Sequence, residues 1–461
     1  MMRKDGKRKE KLRRGDRPSG EKSAHRTKGT DNLKKLVGKR LPRNIVKLLH
    51  QLGAMADDRR VSIFLVGGFV RDLLLKRPNW DLDITVEGDG VEFARAVADR
   101  YGGGLALFER FSTARLVLPA GLKLDIASTR RESYVQPAAL PQVKPASLSE
   151  DLYRRDFTIN AMAIQLNVAR YGILHDPYEG RRDLSSKRMR VLHGRSFVDD
   201  PTRIFRAIRF SERFGFALER TTARLLKEAA ETNLIDQLSG PRLRNEIFLL
   251  AVEPHPDRAF SALARLNLFR FFHPGLRYGV PVKRLVLALP RAIGWWMRRR
   301  EERPIDRAVL YLMALLSQTS PAVNRSIVQR LQLSHAQSSA VAYAGRDTSR
   351  AIQRLMGPEV LRPSEVYRLL AGRPDEALVL LVAAGFSSKK SGAVIRLIKR
   401  LERFVTQDRY VTPILNGEDL KRLGLTPGPR FTTMLIRLRD ARLDGEVKTA
   451  ADERELVRRE I

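Results

Sequence analysis

The sequence predicts an α+β protein: a mixed sheet with helices over residues 43–193, followed by a region that is helical to the end. Three observations carry this. The apolar runs of strand length, VSIFLV, LDITV, RLVLP and LKLDIAS, all fall before residue 130. Helix-spaced segments such as VEFARAVADRYG lie among them, the pattern of a mixed α/β domain. Beyond about residue 195 only helical spacing remains, as in TRIFRAIRFSERFGF, TARLLKEAAETNLI, RLRNEIFLLAV and RAVLYLMALLSQ, punctuated by Pro and Gly and without a fixed repeat.

The 461 residues suffice for several domains with cores of their own. With 86 Lys and Arg against 52 Asp and Glu, the formal charge is +34. A field of that sign attracts polyanions, and nucleic acid is the leading partner class. The absence of cysteine excludes disulfides, thiolate zinc sites and a cysteine nucleophile, and it fits a reducing cytoplasm. Any metal must then be held by oxygen or imidazole. No apolar run is long enough for a membrane span, and the basic start is followed by no apolar stretch of a secretory signal.

In chain order, residues 1–42 read as a disordered basic arm, with 16 basic and 5 acidic residues among the first 40. It serves either sequence-independent phosphate attraction or simple solvation. An amphipathic helix, NIVKLLHQLGAMADD, opens the α/β domain. The strand VSIFLV then ends at Gly67 and Gly68, and a helix is expected from about Phe69. Bare amides at such a helix start suit phosphate, and Arg71 one turn on could add a bidentate contact. A Gly-Gly pair is also an ordinary tight turn, and no Walker-type loop is present.

Asp81 and Asp83 flank Leu82 in the next strand. They are expected on one face, about 7 Å apart along the chain, with Leu82 and Ile84 buried on the other. Adjacent carboxylates repel unless a cation lies between them, and hard oxygen ligands suit Mg²⁺. Asp125, in LKLDIAS, is a third strand carboxylate in a disfavoured setting. Three such groups near a phosphate-binding turn form the layout for two-metal nucleotidyl transfer, although a charged strand edge also explains the DxD pair alone.

GGFVRD, DLDI, LDIASTRRESY, RRDFTINAMA, DPYEGRRDL and DDPTRIFRAIRF, in this order over residues 63–214, resemble the motif series of the class II tRNA nucleotidyltransferase and bacterial poly(A) polymerase family, in the DNA polymerase β superfamily. ILNGEDLKRLGLTPGPRF resembles the tail of the tRNA-specific members. The resemblance implies a polymerase β-like catalytic head at 43–193, a neck at 194–255 that reads the nucleobase, a helical body at 256–360 and a tRNA-binding tail at 361–461. It implies template-independent addition of CCA, or of the terminal A, to tRNA 3′ ends from CTP and ATP with Mg²⁺. The partner would be the tRNA acceptor arm, and the oligomeric state stays open. Gly67, Gly68 and Arg71 would hold the triphosphate, Asp81 and Asp83 the metals, and Asp125 would act as a third catalytic carboxylate toward the RNA 3′ hydroxyl.

Arg155 and Asp156 would contact the nucleotide, Asp156 near the ribose; an arginine–aspartate pair fixing a strand start is the structural alternative. Asp200 and Arg203, three apart on a helix, would offer an acceptor and a donor that match the edge shared by C and A. The family usually has Glu where this chain has Asp199. Arg206 and Arg209 extend the basic face toward the nucleotide or are solvated helix charges. Asp176, Gly180 and Asp183 would lie at a head–neck hinge, and His175–Asp176 reads as an accidental HD pair. The Pro- and Ala-rich stretch 132–151 is expected to be a flexible loop that the family uses in switching from C to A, which argues against a CC-only enzyme. A poly(A) polymerase on general RNA, and a non-catalytic RNA-binding protein on the same fold, are the competing functions.

Overall fold

The computed structural model describes residues 32–461 apart from 120, 140 and 301–303, so most of the disordered basic arm expected at 1–42 lies outside the described residues, and its described end is instead a helix, Lys34–Arg40, with Leu33, Val37 and Leu41 packed into the main core. The head is a seven-stranded sheet in the order β3-β4-β5-β2-β1-β8-β9. Its strands are β1 (Ser62–Val66), β2 (Leu82–Glu87), β3 (Gly104–Phe108), β4 (Thr113–Val117), β5 (Lys123–Ser128), β8 (Ala163–Gln165) and β9 (Leu174–His175). Only β2 and β5 run parallel, and every other neighbour is antiparallel. A separate hairpin, β6 (Arg130–Ser133) with β7 (Gln142–Pro145), follows β5.

Alternation along β1 shows why these residues make a strand buried on both sides. Ile63 and Leu65 join the main core, whereas Phe64 and Val66 pack with Leu148, Leu152, Ala161 and Ala163 on the opposite face. In β2, Leu82, Ile84 and Val86 enter the main core, which leaves Asp83 and Thr85 facing the other way. The helix Arg43–Asp58 buries Ile45, Leu48, Leu49, Leu52, Met55 and Ala56, the spacing of one apolar face. Gly53 on that helix is required by closeness: a Cβ there would stand 2.0 Å from the Leu166 carbonyl oxygen.

Helices dominate the rest of the chain. Two very short strands, β10 (Arg188–Met189) and β11 (Ala217–Leu218), pair in parallel just where the sequence pattern loses its strands. The main core runs without a break from the head to the helix Ser391–Thr406, with Trp296 and Tyr311 fully enclosed. The helix Asp375–Ser387 is buried nearly all round against Val280–Met297. Leu415, Leu420, Met434, Leu438 and Val457 form a small separate core near the C-terminus. No described helix is long and apolar enough to cross a membrane.

Candidate active site

A cleft of about 590 Å³ opens between the strand ends of the head and the helix Thr202–Phe214. Gly67, Gly68, Arg71, Asp81, Asp83, Arg155, Asp156, Asp200, Arg203, Arg206 and Arg209 all line it. Residues more than a hundred positions apart are therefore gathered on one wall as expected, with Asp125 the exception.

The helix after β1 spans Gly68–Leu74, one residue earlier than expected. Gly67 has φ +68°, and a Cβ on it would lie 2.8 Å from an Arg155 Nη. Only glycine combines that backbone with room for the guanidinium. Arg155 is held from behind by Asp151 (Nη2 to Oδ2, 2.9 Å), which also takes the Arg154 fork at 2.7 and 3.0 Å. Burial works to raise the Asp151 pKa, but the two arginines win and hold it below the usual range.

Asp81 lies just before β2 rather than within it, its backbone N–H donating to Asn79 at 2.9 Å. Asp83 is on the strand, with its carboxyl pushed up to about 6 by burial first and by Asp125 and Asp81 next, against the pull of Arg155 and Arg115. Two crowded carboxylates, one of them starved of water, fit a dication that takes its remaining ligands from phosphate oxygens and water, the usual arrangement for Mg²⁺. The expected third member stands beside Asp83 but is already paired. Asp125 is the register partner of Asp83 across the parallel β2–β5 pair, but Arg115 on β4 clamps both its oxygens at 2.7 and 2.9 Å. Among the described residues no three acidic or imidazole groups converge as a metal-ligand set.

Two further expectations change. Arg71 is buried, and three of its five N–H groups go to the neighbouring Asp72 (2.9 and 2.8 Å) and to Asn160 (2.6 Å), with the guanidinium 4.7 Å from the Phe214 ring centre. Asp156 receives Arg206 twice at Oδ2 (2.8 and 2.6 Å), and at Oδ1 receives Asn160 and the Phe157 amide (2.9 and 2.8 Å). All four lone-pair sites are filled, so none is left for a ribose hydroxyl. Burial opposes its charge, yet Arg206 and Asn160 bring the carboxyl down to about 2. Asn79, Asp72, Arg71, Asn160, Asp156 and Arg206 thus form one hydrogen-bonded chain tying head to neck.

Asp200 precedes the helix, with Oδ1 accepting the Thr202 hydroxyl and amide (2.7 and 3.1 Å) and Arg242 Nη2 (2.8 Å). Arg203 donates to Ser196 Oγ and to the Arg154 carbonyl, both at 2.7 Å. Arg209 is buried with an unpartnered Nε, and burial lowers its pKa. Asp176 and Asp183 are structural: Asp176 caps the amides of Gly180 and Arg181, and Asp183 accepts from Thr158 and Arg190. His175 Nε2 meets Gln165 Oε1 at 3.0 Å, and Asp176 is turned to the amides of Gly180 and Arg181.

Asp72, Asn160 and Arg154 also line the cleft, and each lies inside a quoted motif, where the adjacent GGFVRD and RRDFTIN strings were the signal. Arg213, paired with Glu253, had no such signal. Neither had Arg242, whose Nη1 reaches the Ala138 carbonyl at 2.6 Å from the neck helix Gly240–Ala251.

Comparison with known proteins agrees with this geometry. Residues 63–190 match the poly A polymerase head domain, and residues 215–279 a probable RNA- and SrmB-binding site of polymerase A. An A-adding tRNA nucleotidyltransferase of Halalkalibacterium halodurans is 34% identical over 92% of this chain and 94% of its own length. The chain belongs to the tRNA nucleotidyltransferase and poly(A) polymerase family. The A-adding enzyme of Geobacter sulfurreducens is 39% identical over 91% of this chain, which spans about half (47%) of that relative. The CC-adding enzyme of the same organism is 29% identical over 87% of this chain and 92% of its own length. The Thermotoga maritima CCA-adding enzyme complexed with tRNA superposes with a TM-score of 0.73 at 33% identity, covering 93% of this chain and 98% of that one.

Proposed function

We propose that this chain adds the terminal A to tRNA 3′ ends that already carry CC, using ATP and releasing pyrophosphate. The observation that carries the reading is the cleft itself, where the Asp81–Asp83 pair, the Gly67 turn and a wall of arginines meet beside Asp200 and Arg203. The A-only choice is supported by the two Geobacter relatives, of which the A-adding one is the more similar. On this reading the neck, body and tail over 194–255, 256–360 and 361–461 present the acceptor arm to the head, in the cytoplasm.

Asp81 and Asp83 would hold Mg²⁺, which lowers the barrier by neutralising charge on the triphosphate and on the attacking hydroxyl. The amides at Gly67 and Gly68 face the phosphates. Arg209 and Arg155, which line the cleft, are the guanidiniums placed to bind phosphate oxygens, while Arg71 and Asp156 brace the wall around them. Asp200 keeps Oδ2 for the exocyclic amine of adenine, and Arg203, anchored by Ser196 and the Arg154 carbonyl in the same cleft, would turn a remaining N–H to the ring nitrogen. The RNA 3′ oxygen attacks the α-phosphorus, the bond to the β-phosphate oxygen breaks, and pyrophosphate leaves with its charge on the same arginines.

The test supplies each labelled NTP singly, with Mg²⁺, to tRNAs ending before CCA, after C and after CC, and to an unrelated RNA. Incorporation of A on the CC-ended tRNA alone is expected. C addition to the shorter tRNAs overturns the A-only assignment, and long tails on any RNA identify a poly(A) polymerase.

A further inference from the structure

Beside the cleft, and sharing Asp83, Arg154 and Arg155 with it, lies a second groove of about 280 Å³. The strand register fixes its floor. Asp83 is opposite Asp125, Asp125 is opposite Arg115, and Thr113, two residues before Arg115, is opposite Phe108. Side chains directly opposite share a face, so Asp83, Asp125, Arg115, Thr113 and Phe108 lie along one face of the sheet. Phe108 ends the edge strand β3, and half of its surface (50%) is exposed, although the sheet has two buried cores to receive a ring. Arg115 spends Nε and Nη2 on Asp125, and among the described residues Nη1 has no partner.

We propose that this groove receives the 3′-terminal nucleotide of the RNA, its base stacked on Phe108 and its ribose hydroxyl directed at Asp83. The inference rests on the nucleotidyl-transfer reading above and names where the second substrate lies. In-line displacement requires the attacking oxygen to arrive from the side away from the leaving pyrophosphate. With the triphosphate against Gly67 and the arginines, the groove at Asp125 supplies that other side. Three strand spacings, about 14 Å, and two residues along the strand, about 7 Å, separate the Asp83 and Phe108 backbones; both side chains reach into the same groove, and the span left between them takes one nucleoside with its hydroxyl at one end and its base at the other. An aromatic ring without hydrogen-bonding groups suits this task because every base has a π-face. Arg115 Nη1 is placed for the phosphate that precedes the terminal nucleotide.

The assignment makes Phe108 a residue that touches the RNA and not the ATP. Phe108→Ala should raise KM for CC-ended tRNA roughly five- to a hundredfold, the loss carried by one base–aromatic stack. KM for ATP should stay within about twofold, and Phe108→Trp should restore the tRNA KM, because stacking alone is being replaced. A tRNA with a photoreactive base at its 3′ terminus should crosslink to the peptide that contains Phe108. An unchanged tRNA KM in Phe108→Ala, an equal rise in the ATP KM, or a crosslink elsewhere overturns the proposal. If the wild-type protein extends no RNA at all, the activity reading fails, and the crosslink still decides whether an RNA end lies on Phe108.

Discussion

Asp83 and Asp156 show how two carboxylates in one cleft come to opposite states. Asp83 is desolvated beside two other acids and its pKa rises to about 6, so the folded protein binds this proton more tightly than the unfolded chain does. At neutral pH its charge therefore opposes folding, and the opposition fades as pH falls below about 6. Asp83→Asn should raise the melting temperature of the metal-free protein at pH 7, by about 1 kcal/mol or more in free energy, while lowering kcat roughly a thousandfold. Calorimetry and single-turnover assays on one preparation check both halves. Asp156 is the reverse case, with its carboxyl held at about 2 by Arg206 and Asn160. Its contribution is fully present above the unfolded value near 4 and is lost as pH falls toward 2, about 2 kcal/mol in all. Asp156→Ala should cost about 3–5 kcal/mol in urea unfolding at pH 7, since it strands the buried end of Arg206, and much less at pH 2–3. A ribose-binding role alone would leave unfolding unchanged.

At the scale of elements, what could be read from the sequence depended on how local the cause was. β1, β2, β4 and β5 announce themselves because each carries an unbroken apolar face. β3 alternates half-exposed positions at the sheet edge, β6 is a short charged run, RRES, without an apolar face, and β7 lies in a stretch whose Pro, Ala and Ser content reads as loop, so all three escaped the pattern. The cleft residues inside motifs were legible by type, but their partners were not. Nothing local says that Arg71 turns to Asp72 and Asn160, or that Arg115 closes on Asp125, because both depend on register and on packing. Arg242 is the sharpest instance: from one helix it ties the Ala138 carbonyl, between β6 and β7, to the Asp200 carboxylate in the neck. Arg242→Ala should lower kcat/KM for ATP roughly tenfold and weaken discrimination against GTP, because Asp200 loses its charged anchor and the β6–β7 connection its tether. Competition assays with paired NTPs measure it, and unchanged discrimination would show that Asp200 is oriented by Thr202 alone.

The described residues form one long core, a small one on the other face of the head sheet and another small one near the C-terminus, and the separateness of the last predicts how binding separates from chemistry. Every residue of the cleft belongs to the part built on the continuous core, whereas Leu415, Leu420, Met434, Leu438 and Val457 pack apart. The two parts meet along a polar seam between the helices Pro363–Leu370 and Pro429–Asp444, where Ser364 bonds Asp444 at 2.7 and 2.9 Å, Arg368 pairs with Asp440 and Arg439 lies over the Tyr367 ring, while the small core itself stays apart from the long one. A chain ending at residue 410 should therefore keep its cooperative melt with a fall of a few degrees, and keep its KM for ATP. Its KM for tRNA should rise at least tenfold, on the proposed role of the tail. Since a chain of charge +34 gains much of its RNA affinity from released counterions, the full protein's tRNA affinity should fall roughly 10³-fold or more between 50 and 200 mM salt if it makes six or more phosphate contacts. The shortened chain should show a shallower slope by about one unit per lost contact. Equal slopes for the two chains would place the phosphate contacts entirely on the head, neck and body and remove the tail from the RNA interface.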